Sequence, residues 1–242
     1  MRVLSIIHGS DAKAGVFGET VRNAGHELHQ ASFALEQPPS HPVADYDAAM
    51  IFGGSMNTHE EETHPWLRSE KKAIESLLEA GVPTFGVCLG SQLIAETAGG
   101  AVSRAEEPEI GWFEVELTPE AARDPVFSPL PDRFPAFQWH SYQSSLPPGA
   151  VELARNSVCL QGYRLGESVW GTQFHCEVTR PIVETWISHY KSDPDAIALG
   201  LDGDRARKEF AERIDEWNAL GRRLCSAFMA HVEERIAAPA GA

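Results

Sequence analysis

The stretch "VPTFGVCLGSQLIAETAG", residues 82–99, opens as a short apolar run, turns through a cysteine set between glycines, and continues with helical character. A strand "PTFGV" meeting a helix "SQLIAETAG" places Cys88 at the junction. A side chain thrust out on a tight strand-to-helix turn needs neighbours with little Cβ crowding, and Gly86 and Gly90 meet that need. At a helix N-terminus a thiol faces unpaired N–H groups and the positive end of the helix dipole, which favour the thiolate. The same N–H groups can receive an oxyanion.

The rest of the first half repeats this strand-then-helix rhythm. "RVLSII", "HELHQASF", "YDAAMIFGG" and "VPTFGVC" read as strands; "VFGETVRNAG" and the segment from Trp66 to Glu79 read as helices. Such alternation is the mark of β-α-β units around a mostly parallel sheet. The middle changes character: "WFEVEL", "FPAFQWH" and "VELARN" are short pieces separated by Pro, Gly and Asp, which predicts some antiparallel pairing. "CLQGYRLGESVWGTQFH" reads as a hairpin turning near Gly166. From residue 204 to 236, Phe210, Ile214, Trp217, Leu224, Phe228 and Val232 recur near helical spacing, predicting a helix that covers the sheet, with Gly221 a point of kink or division. No internal repeat or long linker interrupts the 242 residues, so one domain is expected over 1–242, with a core of about 1–190 and C-terminal helices of about 191–236.

Composition bounds the function. A formal net charge of −15 argues against a nucleic-acid ligand, because phosphate binding depends on Lys and Arg. The opening "MRVLSIIHGS" is too short in apolar residues for a signal segment, and no run approaches a membrane span, so a cytoplasmic protein with no membrane contact is expected. Cys88, Cys159, Cys176 and Cys225 show no C-x-x-C spacing, which gives no support to a disulfide framework or a zinc ribbon.

A cysteine nucleophile needs a base and a group that orients it. "GTQFHCEVT", residues 171–179, supplies candidates: if residues 173–177 are extended, alternation sends His175 and Glu177 to one side and Cys176 to the other. A carboxylate beside an imidazole fixes its tautomer and stabilises the imidazolium.

Together these pieces resemble the class I, or triad, glutamine amidotransferases, and within them stand-alone relatives of the GMP synthetase glutaminase. The family pattern G-x-C-x-G-x-Q is met by Gly86, Cys88, Gly90 and Gln92, and its F-H-P-E by Phe174, His175 and Glu177. The likeness runs from about Val3 to Thr179. It implies a flavodoxin-like α/β fold, mostly parallel, with flanking helices, some antiparallel strands in the second half and a C-terminal helical extension. It also implies a Cys88, His175, Glu177 triad, oxyanion-hole N–H groups at Gly54 (in "IFGGSMN") and Leu89, and substrate contacts at Gly53, Gln92, Trp139, Ser141 and Tyr142. The implied reaction hydrolyses the side-chain amide of L-glutamine through a cysteine thioester, needs no cofactor or metal, and can serve a partner synthetase as ammonia acceptor. Two rivals stand beside it: a γ-glutamyl hydrolase using the same triad on γ-glutamyl compounds, and a non-catalytic or redox-sensing flavodoxin-like protein. No S-G-G-x-D-S pyrophosphatase loop is present, so an ATP-dependent synthetase is not expected in the same chain. Cys176 stands where the family usually has Pro, restoring an N–H and freeing φ, and is expected to be structural.

Other signals receive plainer readings. "HEEETHPWL", residues 59–67, is expected to be a solvated loop leading into a helix that begins after Pro65, near enough to the Gly53 and Gly54 loop to rim a pocket. His8 and Ser10 end the first strand and are expected to be structural; His140 is left between a pocket and a strand-end role. The tail "AAPAGA" is expected to fray.

Overall fold

In the computed structural model, residues 1–9 and 13–238 are described; Ser10 and most of the "AAPAGA" tail lie outside them. In chain order the elements are β1 (Arg2–Ile6), α1 (Gly15–Asn23), β2 (Glu27–Ala31), β3 (Ala48–Ile51), α2 (Trp66–Glu79), β4 (Thr84–Val87), α3 (Leu89–Thr97), β5 (Val102–Leu117), β6 (Arg133–Ser144), β7 (Ala150–Arg155), β8 (Leu160–Leu165), β9 (Val169–Thr172), α4 (Arg180–His189), α5 (Pro194–Ala198) and α6 (Gly203–Ala237). The strands form one sheet in the order β2-β1-β3-β4-β9-β8-β7-β5-β6. Strands β2, β1, β3, β4 and β9 run parallel, and the remainder pair antiparallel.

Strands β3 and β4 are buried along their whole length because helices cover both faces. Period-two alternation sorts their side chains into two cores. Val3, Met50, Phe85 and Val87 pack with Phe17 of α1 and with Phe210, Ile214, Leu224 and Phe228 of α6. Leu4, Ile6, Ala49 and Ile51 pack with Leu67, Ile74 and Leu77 of α2 and with Leu93 and Ile94 of α3. No helix of the described residues is long and apolar enough to cross a membrane.

Three expectations need correction. Strand β9 ends at Thr172, and residues 173–177 form bends rather than an extended run. They leave the β9 ladder because Gln173 N–H donates to Gln161 O and His175 N–H to Phe137 O, which turns the chain toward β6. Helix α6 is continuous through Gly221. A Cβ there would lie 2.0 Å from Cys176 O, so this glycine admits a close backbone approach and does not break the helix. Strand β5 reaches well beyond "WFEVEL": it starts at Val102 and takes in the charged "EEPE", with a bulge between Arg104 and Glu109.

Candidate active site

Four chain segments meet beyond the C-terminal ends of β1, β3, β4 and β9, the crevice where open parallel sheets place their ligands. Cys88 follows β4 directly and stands at the N-cap of α3 with φ 51° and ψ −112°. A positive φ in a residue with a Cβ is a strained conformation that the surroundings must impose. Here Cys88 N–H donates to Thr172 O (2.8 Å), and Cys88 O accepts from Gln92 N–H (3.0 Å). Gly90 allows α3 to press onto β3, since a Cβ at that position would lie 2.1 Å from Ile51 O. The N–H of Leu89, in the first turn of α3, belongs to the set that a helix cannot pair internally.

His175 and Glu177 come together despite the bends between them. His175 Nδ1–H donates to Glu177 Oε1 at 2.9 Å, with both side chains almost wholly buried. The other ring nitrogen serves the hydrogen bond to the Cys88 sulfur. Gly53 lets the ring approach: a Cβ there would lie 2.9 Å from His175 Cε1 and 3.7 Å from Cys88 Cβ. Burial by itself would lower the His175 pKa, but the Glu177 carboxylate and the Cys88 sulfur outweigh it, and the imidazole is pushed up to about 10 from the ordinary 6.5. That environment favours an imidazolium.

Cys176 faces the other way. It is fully buried, its sulfur is 3.9 Å from Thr172 Oγ1, and burial pushes its thiol well above the usual range, which keeps it protonated. The loop that carries it is fastened to α6: Trp217 Nε1–H donates to His175 O (2.8 Å) and Asn218 Nδ2–H to Val178 O (2.7 Å).

His8, at the end of β1, supports the Gly53 and Gly54 loop. Its Nδ1–H donates to Gly53 O at 2.9 Å and its Nε2 pairs with Glu70 Oε1 at 2.7 Å, with both side chains fully buried. Both ring nitrogens thus meet oxygen atoms that can accept, an arrangement that suits an imidazolium. Burial opposes that charge, while Glu70 and the Gly53 carbonyl raise the His8 pKa above its ordinary value. Gly53 C=O and Gly54 N–H belong to one peptide group and point in opposite directions, so anchoring the carbonyl also aims the N–H.

The remaining residues line two adjoining cavities. The larger, about 500 Å³, includes Glu60, Gln92, Arg104, Ser141 and Tyr142; the smaller, about 200 Å³, includes His8, His175, Trp186 and Tyr190. Cys88, Gly54, Trp139 and Asp193 border both, and Trp139 Nε1–H donates to Asp193 Oδ2 at 2.9 Å. Gln92 is buried, its Nε2 donating to Tyr142 O (2.8 Å) and to Gln173 Oε1 (3.0 Å), so it ties β6 to α3. Ser141 Oγ and the Arg104 guanidinium both donate to the Asp195 carboxylate. Glu60 in the "HEEETHPWL" loop reaches the larger cavity, and His59 lies against Tyr142 with ring centroids 5.4 Å apart, so the loop does rim the pocket.

On β6, His140 lines the larger cavity; its Nε2 meets Glu109 Oε2 at 3.0 Å and its Nδ1 meets Tyr142 O at 3.0 Å. Glu109 also accepts from Asn156 Nδ2 (2.6 Å) and Gln161 Nε2 (2.9 Å) and lies 3.7 Å from Cys159 Sγ. Burial pushes the Cys159 thiol up, with Glu109 adding to the effect, so it stays protonated as a donor. The Glu109, His140 and Cys159 ligand atoms lie within 4.8 Å of one another, and all three are spent in this hydrogen-bond network. Motif reading did not reach Glu70, Glu109, Trp186 or Asp193. Glu70 did carry a signal: it shares the apolar stripe of Leu67, Ile74 and Leu77 on α2, where a carboxylate needs a buried partner.

Comparison with known proteins places this geometry among relatives. The family model "Glutamine amidotransferase class-I" matches residues 16–182. A glutamine amidotransferase-like protein of Salmonella typhimurium, YfeJ, is 32% identical over 224 residues, covering 90% of this chain and 91% of that protein. A γ-glutamyl-L-1-hydroxyisopropylamide hydrolase from a Pseudomonas species is 32% identical over 147 residues, covering 57% of this chain and 49% of that protein. Among solved structures, a glutamine amidotransferase from Thermotoga maritima superposes with a TM-score of 0.85 at 28% identity, covering 96% of this chain and 98% of its own.

Proposed function

The chain belongs to the class-I glutamine amidotransferase family, and from that membership we propose that it hydrolyses the side-chain amide of L-glutamine to glutamate and ammonia through a Cys88 thioester. The observation that carries this reading is the meeting of a strained Cys88 and a Glu177-oriented His175 at a cavity. In the proposed cycle the Cys88 thiolate attacks the amide carbon, and the Gly54 and Leu89 N–H groups receive the oxyanion. One such donor is typically worth about 3 kcal/mol of barrier. His175 gives its proton to the departing nitrogen, the C–N bond breaks, and water activated by the same imidazole releases glutamate and restores the thiol. Gln92, Trp139, Ser141 and Tyr142 hold or frame the glutamyl group in the larger cavity, where Glu60 and an Arg104 already paired with Asp195 are among the charged groups that face its ammonium and carboxylate. A synthetase subunit is the proposed acceptor of the ammonia. A second reading, hydrolysis of γ-glutamyl amides, is favoured by the Pseudomonas relative named for such an activity.

The test is ammonia release from glutamine by the purified protein, together with labelling by a glutamine-like electrophile and mapping of the modified residue. Turnover and labelling at Cys88, both lost in Cys88→Ala, are expected. Undiminished glutaminase activity in Cys88→Ala would overturn the proposal.

A further inference from the structure

We propose that the smaller cavity seats the amine released from a γ-glutamyl amide, and that the class it fits is a primary amine bearing a compact apolar or aromatic group. This rests on the amide-hydrolase reading above and specifies its leaving group.

The direction of the substrate follows from which groups open onto which cavity. His175 lines the smaller one, whereas Gln92, Arg104 and Tyr142 line the larger. A general acid must lie within hydrogen-bond reach of the nitrogen it protonates. A γ-glutamyl amide bound with its charged head between Arg104 and Glu60 therefore points its C–N bond past Cys88 into the smaller cavity.

Size argues against ammonia as the sole occupant. One water-sized group takes about 30 Å³ of liquid volume. Against that, the cavity measures about 200 Å³. The room thus exceeds several-fold what one ammonia molecule fills.

The walls decide the chemistry. Trp186 packs edge-on against His175 with ring centroids 4.8 Å apart and against Trp139 at 5.9 Å, and Tyr190 adds a further ring. Among the described residues, the carboxylate on this wall is already engaged: Asp193 Oδ2 accepts from Trp139, and Oδ1 accepts from the N–H groups of Asp195 and Ala196 at the start of α5. Among the described residues no carboxylate is left over there for a second cation, so aromatic faces set the preference.

The covalent step balances without a further reagent. The sulfur–carbon bond forms as the carbon–nitrogen bond breaks, the amine leaves with the His175 proton, and water hydrolyses the thioester to glutamate and free thiol.

The test compares kcat/KM for glutamine and for γ-glutamylbenzylamide, whose amine matches ammonia in basicity, so that size and not leaving-group strength is read. The benzylamide is expected to exceed glutamine at least tenfold, the scale on which a pocket discriminates by apolar contact. Tyr190→Ala should cut that ratio about tenfold. Turnover of glutamine with a benzylamide value no higher than glutamine's overturns the leaving-group assignment and leaves amide hydrolysis standing. Turnover of neither compound, with Cys88 unlabelled by the glutamine-like electrophile, removes the amide-hydrolase reading and this inference with it.

Discussion

His8 does for the Gly53 and Gly54 loop what Glu177 does for His175: each is half of a buried imidazole and carboxylate pair, and each fixes the direction of another group. If the Gly54 N–H receives the oxyanion, His8→Ala should lower kcat by about 10- to 100-fold with little change in KM, since a misdirected donor costs transition-state binding alone. Glu70→Gln should fall between that variant and the parent. Steady-state kinetics on glutamine checks both, and an unchanged kcat in His8→Ala would dismiss the positioning role. The pH profile reports the other pair. Because Glu177 is the largest influence raising the His175 pKa, Glu177→Gln should move the alkaline limb of kcat/KM toward lower pH, as the acid that serves the departing nitrogen is lost sooner. The pairing of His175 with Glu177 was legible in the sequence because the two stand two positions apart, and the turn at Cys88 because glycines mark it. The pair of His8 and Glu70 was not, because its members stand 62 positions apart and only the packing of α2 on the sheet joins them.

At the scale of elements, α6 both covers the sheet and holds the loop of residues 175–178. Its apolar face was readable from helical periodicity, and Phe210, Ile214, Trp217, Leu224, Phe228 and Val232 are all buried as that pattern expects. Its polar grip was not readable, because Trp217 and Asn218 bond to backbone carbonyls some 40 residues away. Two variants separate these duties. Gly221→Ala should destabilise the protein strongly, with a lower Tm in thermal unfolding, since the new Cβ lands 2.0 Å from Cys176 O and must push helix and loop apart. Trp217→Phe keeps most of the packing but leaves His175 O unpaired, which costs about 1–3 kcal/mol. It should lower kcat further than its loss of stability explains, and a variant with parental kcat would show that the loop seats itself. The bends at residues 173–177 escaped prediction for a related reason: they follow from pairing with β6 and β8, elements that the local pattern does not reveal.

For the molecule as a whole, the ends of the parallel half of the sheet carry Cys88, His175 and Glu177, and the antiparallel half supplies Trp139, Ser141 and Tyr142 to the wall of the larger cavity. The parallel half was legible from its strand-and-helix rhythm. The insertion of β9 between β4 and β8 was not, because its β4 pairing joins residues more than 80 positions apart. Nor was the full length of β5, whose early residues are charged and largely exposed and so lack the alternation of a half-buried strand. Stability against pH is a property at this scale. Two buried histidines, His8 and His175, have folded-state pKa values above the ordinary 6.5. Groups of that kind contribute fully below the unfolded pKa, and their contribution declines as pH rises through the folded value, which for His175 is about 10. Added negative charge on a chain already at −15 acts in the same direction. Tm should therefore fall steadily from about pH 6.5 towards pH 10, and a flat profile across that window would show that neither ring is charged in the folded state.

The fastening of residues 175–178 by α6 has a consequence for biosynthesis. A nascent chain that has emerged as far as α5 already carries sulfur, imidazole and carboxylate, yet lacks the helix that seats two of the three. Chemical competence should thus arrive late in translation, and arrested chains ending before α6 should leave Cys88 inert toward a glutamine-like electrophile. A cell would be spared an unregulated reactive sulfur on every unfinished polypeptide.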